Sequence, residues 1–345
     1  MADGIRRMVP EGTIPFLSVQ GTAYECGRAY GETVLRKYPG YTRYLRAALV
    51  WSNRNRLVIS LFEKKAPQIL EVYRGLQSVC ARQRKNAGPL RLLGEACTSF
   101  SVHPALTLDK TLISGQTKDT PYDNALKYIV LRMRIKNAPA ILVLAYPGEI
   151  LGYGMWSNGM TIFRNALYSK PNPTAKLAME EWGLLALAGK SVEEGRELAE
   201  RYGIQNCGNC LISDSSGQSL AVEFNAGGVN CIPPTKGINV HANHPVGKDT
   251  VRFEDYPDII EKKNSRYRMN FLRKLLGAER GKLTVQKALM CLADHSRYPC
   301  GICRHKVGQA TAMGTTAAVI AEPVKGKLHV VRGNPCCNWP VTYEL

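Results

Sequence analysis

The apolar residues of this chain change their period at Cys97, and that change dictates two kinds of structure joined at one residue. Upstream, residues 31 to 87 are rich in Leu, Arg and Ala, broken near Pro39-Gly40 and at Pro67, which predicts two or three helices ahead of a loop at Gly88-Pro89. Downstream, apolar and polar residues alternate. Strands are expected from Cys97 to Val102 and near Thr111 to Gly115, with a turn at His103-Pro104 between them, then over 128–135, 140–146 and 160–165. These read as a first sheet. Helices follow over 174–188 and after Ser191-Val192-Glu193-Glu194, which has capping-box spacing, and over 265–276, ending at Gly277. Further strands are expected over 210–213, 219–224, 315–320 and 328–332. Helices outside two runs of antiparallel strands give an α+β chain, a four-layer αββα sandwich.

Cys97 sits in Gly94-Glu95-Ala96-Cys97-Thr98-Ser99-Phe100. A cysteine opening a strand is commonly a small buried hydrophobe. Its chemical alternative is self-cleavage between Ala96 and Cys97, which would give one residue both a thiol and an α-amine. A thiol of ordinary pKa needs a base to become a thiolate, and an α-amine with a pKa of about 8 can supply it.

Composition narrows the partners. The chain has 345 residues and is 45% hydrophobic, ample for a packed core, and no apolar run is long enough to span a membrane. The first 21 residues lack the apolar block of a secretory signal, so a cytoplasmic location and reduced thiols are expected for the 11 cysteines. Net charge is +18, and 16 basic against 7 acidic residues precede Cys97. Arg43, Arg46, Arg54 and Arg56 are interleaved with no aromatic stacking motif, so a solvated helix face is expected and nucleic acid is not; an anionic substrate is the functional alternative. Cys207-Gly208-Asn209-Cys210 and Cys300-Gly301-Ile302-Cys303 have metal-like spacing but stand too far apart for a zinc ribbon. The pair His241 and His244 has no acidic or cysteine partner close in sequence, and Cys336-Cys337 reads as packing. No metal and no cofactor are expected. A basic anion-binding or nucleic-acid-binding protein and a zinc-stabilised scaffold, both without catalysis, remain the non-enzymatic readings.

Several stretches in a shared order resemble the acyl-coenzyme A:isopenicillin N acyltransferase family of self-cleaving cysteine Ntn hydrolases. They are Gly21-Thr22-Ala23-Tyr24-Glu25-Cys26-Gly27 with Tyr30-Gly31, Cys97-Thr98-Ser99, Gly115-Gln116-Thr117-Lys118-Asp119, residues 152–160 with Asn165, Asn239-Val240-His241-Ala242-Asn243-His244, and Cys303-Arg304-His305. The resemblance implies one Ntn-hydrolase domain over 1–345, made as a precursor and cut into 1–96 and 97–345. It implies Cys97 as nucleophile, Asp119 orienting the α-amine, and the Asn243 side-chain NH₂ in the oxyanion hole. Arg304, Asn165 and Lys118 would contact substrate. The reaction implied is hydrolysis or acyl transfer on an N-acyl amide or acyl-coenzyme A thioester, with the leader retained. Ala96 stands where the family often has glycine, which crowds the scissile bond, and Lys118 replaces an aromatic, which favours an anionic substrate. The carboxyl end, Val341 to Leu345, lacks a peroxisomal signal, which argues against penicillin biosynthesis.

Overall fold

In a computed structural model, residues 13–38, 55–80, 96–307 and 313–345 are described. The loop expected at Gly88-Pro89 and the arginines at 43, 46 and 54 lie outside them; Arg56 is exposed at the start of a helix.

Three apolar layers separate four layers of backbone. The outermost helices are α1 (Ala23–Lys37), α2 (Arg56–Lys65), α3 (Pro67–Cys80), α4 (Met179–Ala188) and α5 (Val192–Tyr202). The Thr22 hydroxyl accepts from Glu25 N, and the Glu25 carboxylate accepts from Thr22 N at 2.8 Å, so α1 begins in a capping box. Gly27 in α1 has no room for a Cβ, which would stand 2.0 Å from the Val72 carbonyl oxygen of α3. The two helices therefore cross in backbone contact. Tyr30, Phe62, Val72 and Trp182 from this layer pack with Leu131, Val143 and Ile162 on one face of an eight-stranded sheet.

That sheet runs in the order β1 (Phe16–Gly21), β4 (Ile129–Ile135), β5 (Ile141–Ala145), β6 (Tyr153–Trp156), β7 (Thr161–Asn165), β8 (Gly208–Ser213), β9 (Ser219–Asn225) and β10 (Gly228–Ile232). The second sheet has the order β11 (Ile238–His241), β2 (Ala96–Val102), β3 (Ile113–Thr120), β12 (Gly314–Glu322), β13 (Lys327–Arg332) and β14 (Val341–Glu344). Leu142, Leu144 and Phe163 of the first meet Ala317, Val319 and Val330 of the second in the layer between sheets. The far face of the second sheet, with Phe100, Val102 and Ile320, is covered by α6 (Ile259–Ala278) and α7 (Val285–Leu292). The αββα sandwich expected from the sequence is present.

Three expectations need correction. The strands from Cys97 to Asn165 do not form one sheet: β2 and β3 belong to the second, β4 to β7 to the first. The helix expected from Thr174 begins at Met179, since the segment before it is held by Leu177 bridging to Ile204. Gly277 does not stop α6, which begins at the Asp258 cap and runs to Ala278; the left-handed glycine beyond it is Gly281, φ 77°.

One buried carboxylate joins the sheets. Glu223 on β9 accepts from the amides of Val246 (2.7 Å) and Gly247 (2.8 Å) and from the Thr250 hydroxyl, and pairs with His241 Nε2 of β11 at 2.6 Å. Although burial opposes its charge, the His241, Thr250 and Gly247 bonds hold its pKa below the usual carboxylate range. A lowered carboxyl pKa contributes stability that is complete above about pH 4.3 and is lost as pH falls further. Glu223→Ala should cost about 3 kcal/mol in urea unfolding at neutral pH, and the deficit should shrink as pH drops below about 4.

Candidate active site

Side chains on β2 alternate between layers. Thr98, Phe100 and Val102 face α6 and α7, so Cys97 and Ser99 face the layer between the sheets, and both are fully buried. The ladder between β11 and β2 ends at the His241 and Ser99 rung. Carried two residues further, that register sets Asn243 level with Cys97. Here the side chain replaces the backbone: Cys97 N donates to Asn243 Oδ1 at 3.0 Å. Asn243 Nδ2 donates to the Ala166 carbonyl at 2.8 Å, and the Asn243 amide donates to Ser265 Oγ at 2.8 Å.

Arg268, on α6 and fully buried, was missed by sequence reasoning. Its guanidinium donates to the Cys97 carbonyl (2.8 Å), the Thr98 hydroxyl (2.5 Å) and Asn243 Oδ1 (2.7 Å), and lies 3.9 Å from Asp119. The signal was present: Arg268 stands four residues before Leu272 and three after Ser265 on the helix's inward stripe, a charge where an apolar residue is expected.

Asp119 lies opposite Ala96 in the β2 and β3 ladder, on the side facing α6. Thr315 donates to its Oδ1 at 2.8 Å, and its buried Oδ2 has no hydrogen-bond partner among the described residues. Burial raises its pKa while Arg268 and Arg304 pull it down. Arg304 is buried. Its fork pairs with Glu261, at 3.2 and 2.6 Å. Thus Cys97, Asn243, Asp119 and Arg304 are brought into one connected network through Arg268 and Thr315.

Lys118 and Asn165 lie on the inter-sheet side. Lys118, opposite Cys97 in register, donates to Tyr153 Oη at 2.6 Å with its ammonium 4.2 Å from the ring centroid. Asn165 Oδ1 accepts from Ser99 Oγ (2.6 Å) and Asn209 Nδ2 (3.1 Å). A cavity of about 280 Å³ opens there, walled by Tyr146, Tyr153, Met179 and Phe224, by the Arg164 and Glu149 ion pair, and by Asn165 and Asn209. Asn165 Nδ2 and Asn209 Oδ1, both buried, lack hydrogen-bond partners among the described residues. Residues 165 and 166 line the cavity, and each is hydrogen-bonded to a residue beside Cys97, Asn165 to Ser99 and the Ala166 carbonyl to Asn243. Lys118 meets Tyr153, which is part of the wall, and is not itself among the lining residues.

The histidine pair is not metal-bound in pattern: His241 meets Glu223 and His244 Nδ1 meets Ser265 Oγ at 2.8 Å. Cys207 and Cys210 line the cavity, and Cys303 is not among its lining residues.

A four-layer αββα sandwich with a buried cysteine opening a central strand and an asparagine at its amide defines an Ntn-hydrolase architecture. The family model described as "Acyl-coenzyme A:6-aminopenicillanic acid acyl-transferase" matches residues 108–336, well over half of the sequence, and the chain belongs to that family. The match contains Asp119, Asn243 and Arg304 and begins after Cys97. No curated protein matches the chain. Among solved structures, it is similar to a C2A mutant of conjugated bile acid hydrolase from Clostridium perfringens (13% identity, 72% of this chain and 97% of that one, TM-score 0.47). It is also similar to penicillin V acylase from Agrobacterium tumefaciens (12% identity, 68% and 82%, TM-score 0.41).

Burial, then the neighbouring His241, Arg266 and Arg268, lower the His244 pKa to about 3, so its ring is neutral in the folded chain. The unfolded chain binds that proton below about pH 6.5, so the associated stability is complete above this value and declines as pH falls toward the folded pKa. His244→Asn should flatten the dependence of unfolding free energy on pH between about 7 and 5. Asn243→Ala, which leaves the Cys97 amide and Arg268 without their shared acceptor, should cost about 1 to 3 kcal/mol in the same measurement.

Proposed function

We propose that this chain is a self-cleaving amidohydrolase or acyltransferase whose nucleophile and base are both supplied by Cys97. The observation that carries the proposal is the bond from Cys97 N to Asn243 Oδ1, with the adjoining Cys97 carbonyl held by Arg268. Self-cleavage begins when the Cys97 sulfur adds to the Ala96 carbonyl carbon. The carbon-nitrogen bond breaks, the nitrogen keeps the thiol proton, and a thioester joins Ala96 to Cys97. Water then opens the thioester, leaving a carboxylate on Ala96 and a thiol and α-amine on Cys97.

In the cut enzyme the α-amine takes the thiol proton, and the thiolate attacks an acyl carbonyl. Asn243 Oδ1 is the acceptor that orients this amine, and its NH₂, the oxyanion-hole donor expected from the family, gives one of its two N–H groups to the Ala166 carbonyl. Asp119, whose Oδ2 has no hydrogen-bond partner among the described residues and lies 3.9 Å from Arg268, supplies the carboxylate that receives the ammonium form. The Arg268 cation, in turn, favours the neutral amine that acts as base. Departure of the amine or thiol leaves an acyl-enzyme, and water or an amine takes the acyl group. Asn165 lies between Ser99 and the cavity, whose Tyr146, Tyr153, Met179 and Phe224 walls suit a largely apolar acyl group. Hydrolysis of an N-acyl amide is therefore the preferred reading.

The fragment 1–96 stays with 97–345 after cutting, because β1 pairs with β4 and the α1 to α3 side chains are part of the same apolar layer as β4 and β5. No described helix is long and apolar enough to cross a membrane, and the cytoplasm is the proposed location.

The purified protein should run as two unequal bands under denaturing conditions, with the larger one beginning at Cys97 by terminal sequencing. Cys97→Ala should remain one band of 38.1 kDa. Native gel filtration should return both fragments in one peak. An intact wild-type chain whose residue-97 thiol resists acylation by activated esters would end the proposal.

A further inference from the structure

Two turns that are distant in sequence meet beside Arg304. His305 and Cys303 belong to the first, which the bonds Cys303 N to Asp294 O and His305 N to Pro299 O hold at 2.9 Å each. Cys336 belongs to the second, joined to the first by Asn334 Nδ2 donating to the Arg304 carbonyl at 2.6 Å. His305 Nε2 stands 3.6 Å from Cys303 Sγ and 3.4 Å from Cys336 Sγ. The ligand-capable atoms of His295, His305 and Cys336 all lie within 4.8 Å of one another.

These separations have a coordination meaning. A tetrahedral zinc ion with bonds of about 2.3 Å to sulfur and about 2.0 Å to imidazole nitrogen separates those atoms by roughly 3.5 Å along each sulfur-nitrogen edge. Both measured sulfur-nitrogen distances match that edge. Asn334 Nδ2 also lies 3.3 Å from Cys303 Sγ, an N–H aimed at sulfur of the kind that supports a coordinated thiolate. Cys337, by contrast, points its thiol at the Asn334 carbonyl, 3.7 Å away.

We propose that Cys303, His305, Cys336 and His295 form a zinc site that fastens the Arg304 turn to the turn at Asn334. Two thiolates and two imidazoles are a donor set suited to Zn²⁺. His305 Nε2 already stands near its coordination separation from both sulfurs, and exposed His295, within 4.8 Å of His305 and Cys336, closes the site from the solvent side. Spacing along the chain concealed it. Only Cys303 of the two Cys-x-x-Cys pairs takes part, and Cys336 comes from a turn about thirty residues on.

The test uses the full-length Cys97→Ala chain, so it does not depend on self-cleavage. Stripped with chelator, reloaded with Zn²⁺ and gel-filtered, it should retain one zinc per chain. With Co²⁺ it should give the visible bands of a tetrahedral ion and thiolate charge transfer. His305→Ala and Cys336→Ser, each in this background, should weaken zinc binding at least about tenfold and abolish the rise in unfolding temperature on adding Zn²⁺. Cys207→Ser should retain the metal in full. No retained zinc and no cobalt spectrum in the parent would overturn the site. So would undiminished binding in His305→Ala, or a disulfide between Cys303 and Cys336 in freshly purified, metal-free protein. None of these outcomes bears on whether wild-type protein cuts itself at Cys97.

Discussion

A fully buried guanidinium holds the site together. A buried cation needs acceptors around it, and those that Arg268 finds are the Cys97 carbonyl, the Thr98 hydroxyl, Asn243 Oδ1 and, slightly farther off, Asp119. Burying such a charge is costly unless the geometry is good, which makes the position of β2 against α6 a matter of electrostatics as much as of packing. The same stripe of α6 supplies Ser265 to the Asn243 amide and Glu261 to Arg304. One helix thus sets three members of the site relative to one another.

The opposite flank is set by Glu223. Reaching from β9 to His241 and the turn after Asn243, this carboxylate fixes the end of β11 from the other sheet. Asn243 is therefore held between a cation on the helix layer and an anion on the far sheet, with His244 kept neutral against Ser265. Its amide orientation follows from these surroundings: the oxygen meets two donors and the nitrogen meets a carbonyl.

Local pattern made much of this legible. The change of period at Cys97, the hairpin strands after it, the Ser191 cap and the αββα layering could all be read because each depends on residues close in sequence. The sheet to which a strand belongs could not, since β2 finds β11 and β3 finds β12 across most of the chain. Arg304 and Asn243 were legible as site residues, but the partners that decide their roles, Glu261 and the Ala166 carbonyl, come from other elements. Arg268 was overlooked because a helical stripe was read for its apolar members alone. Gly277 was misread because glycine ends a helix only where the backbone turns left-handed, and that happens at Gly281.

The pairing of Ala96 with Asp119 has a consequence for reversibility. Both residues face the same buried side of the second sheet, one rung short of Cys97. A carboxyl terminus created on Ala96 would carry a new negative charge into a pocket already occupied by Asp119. Repulsion between the two would push the severed end outward and favour Arg268 for the older carboxylate. If the proposed cut occurs, resealing the peptide bond would require that end to return against the field its own creation set up, an electrostatic ratchet.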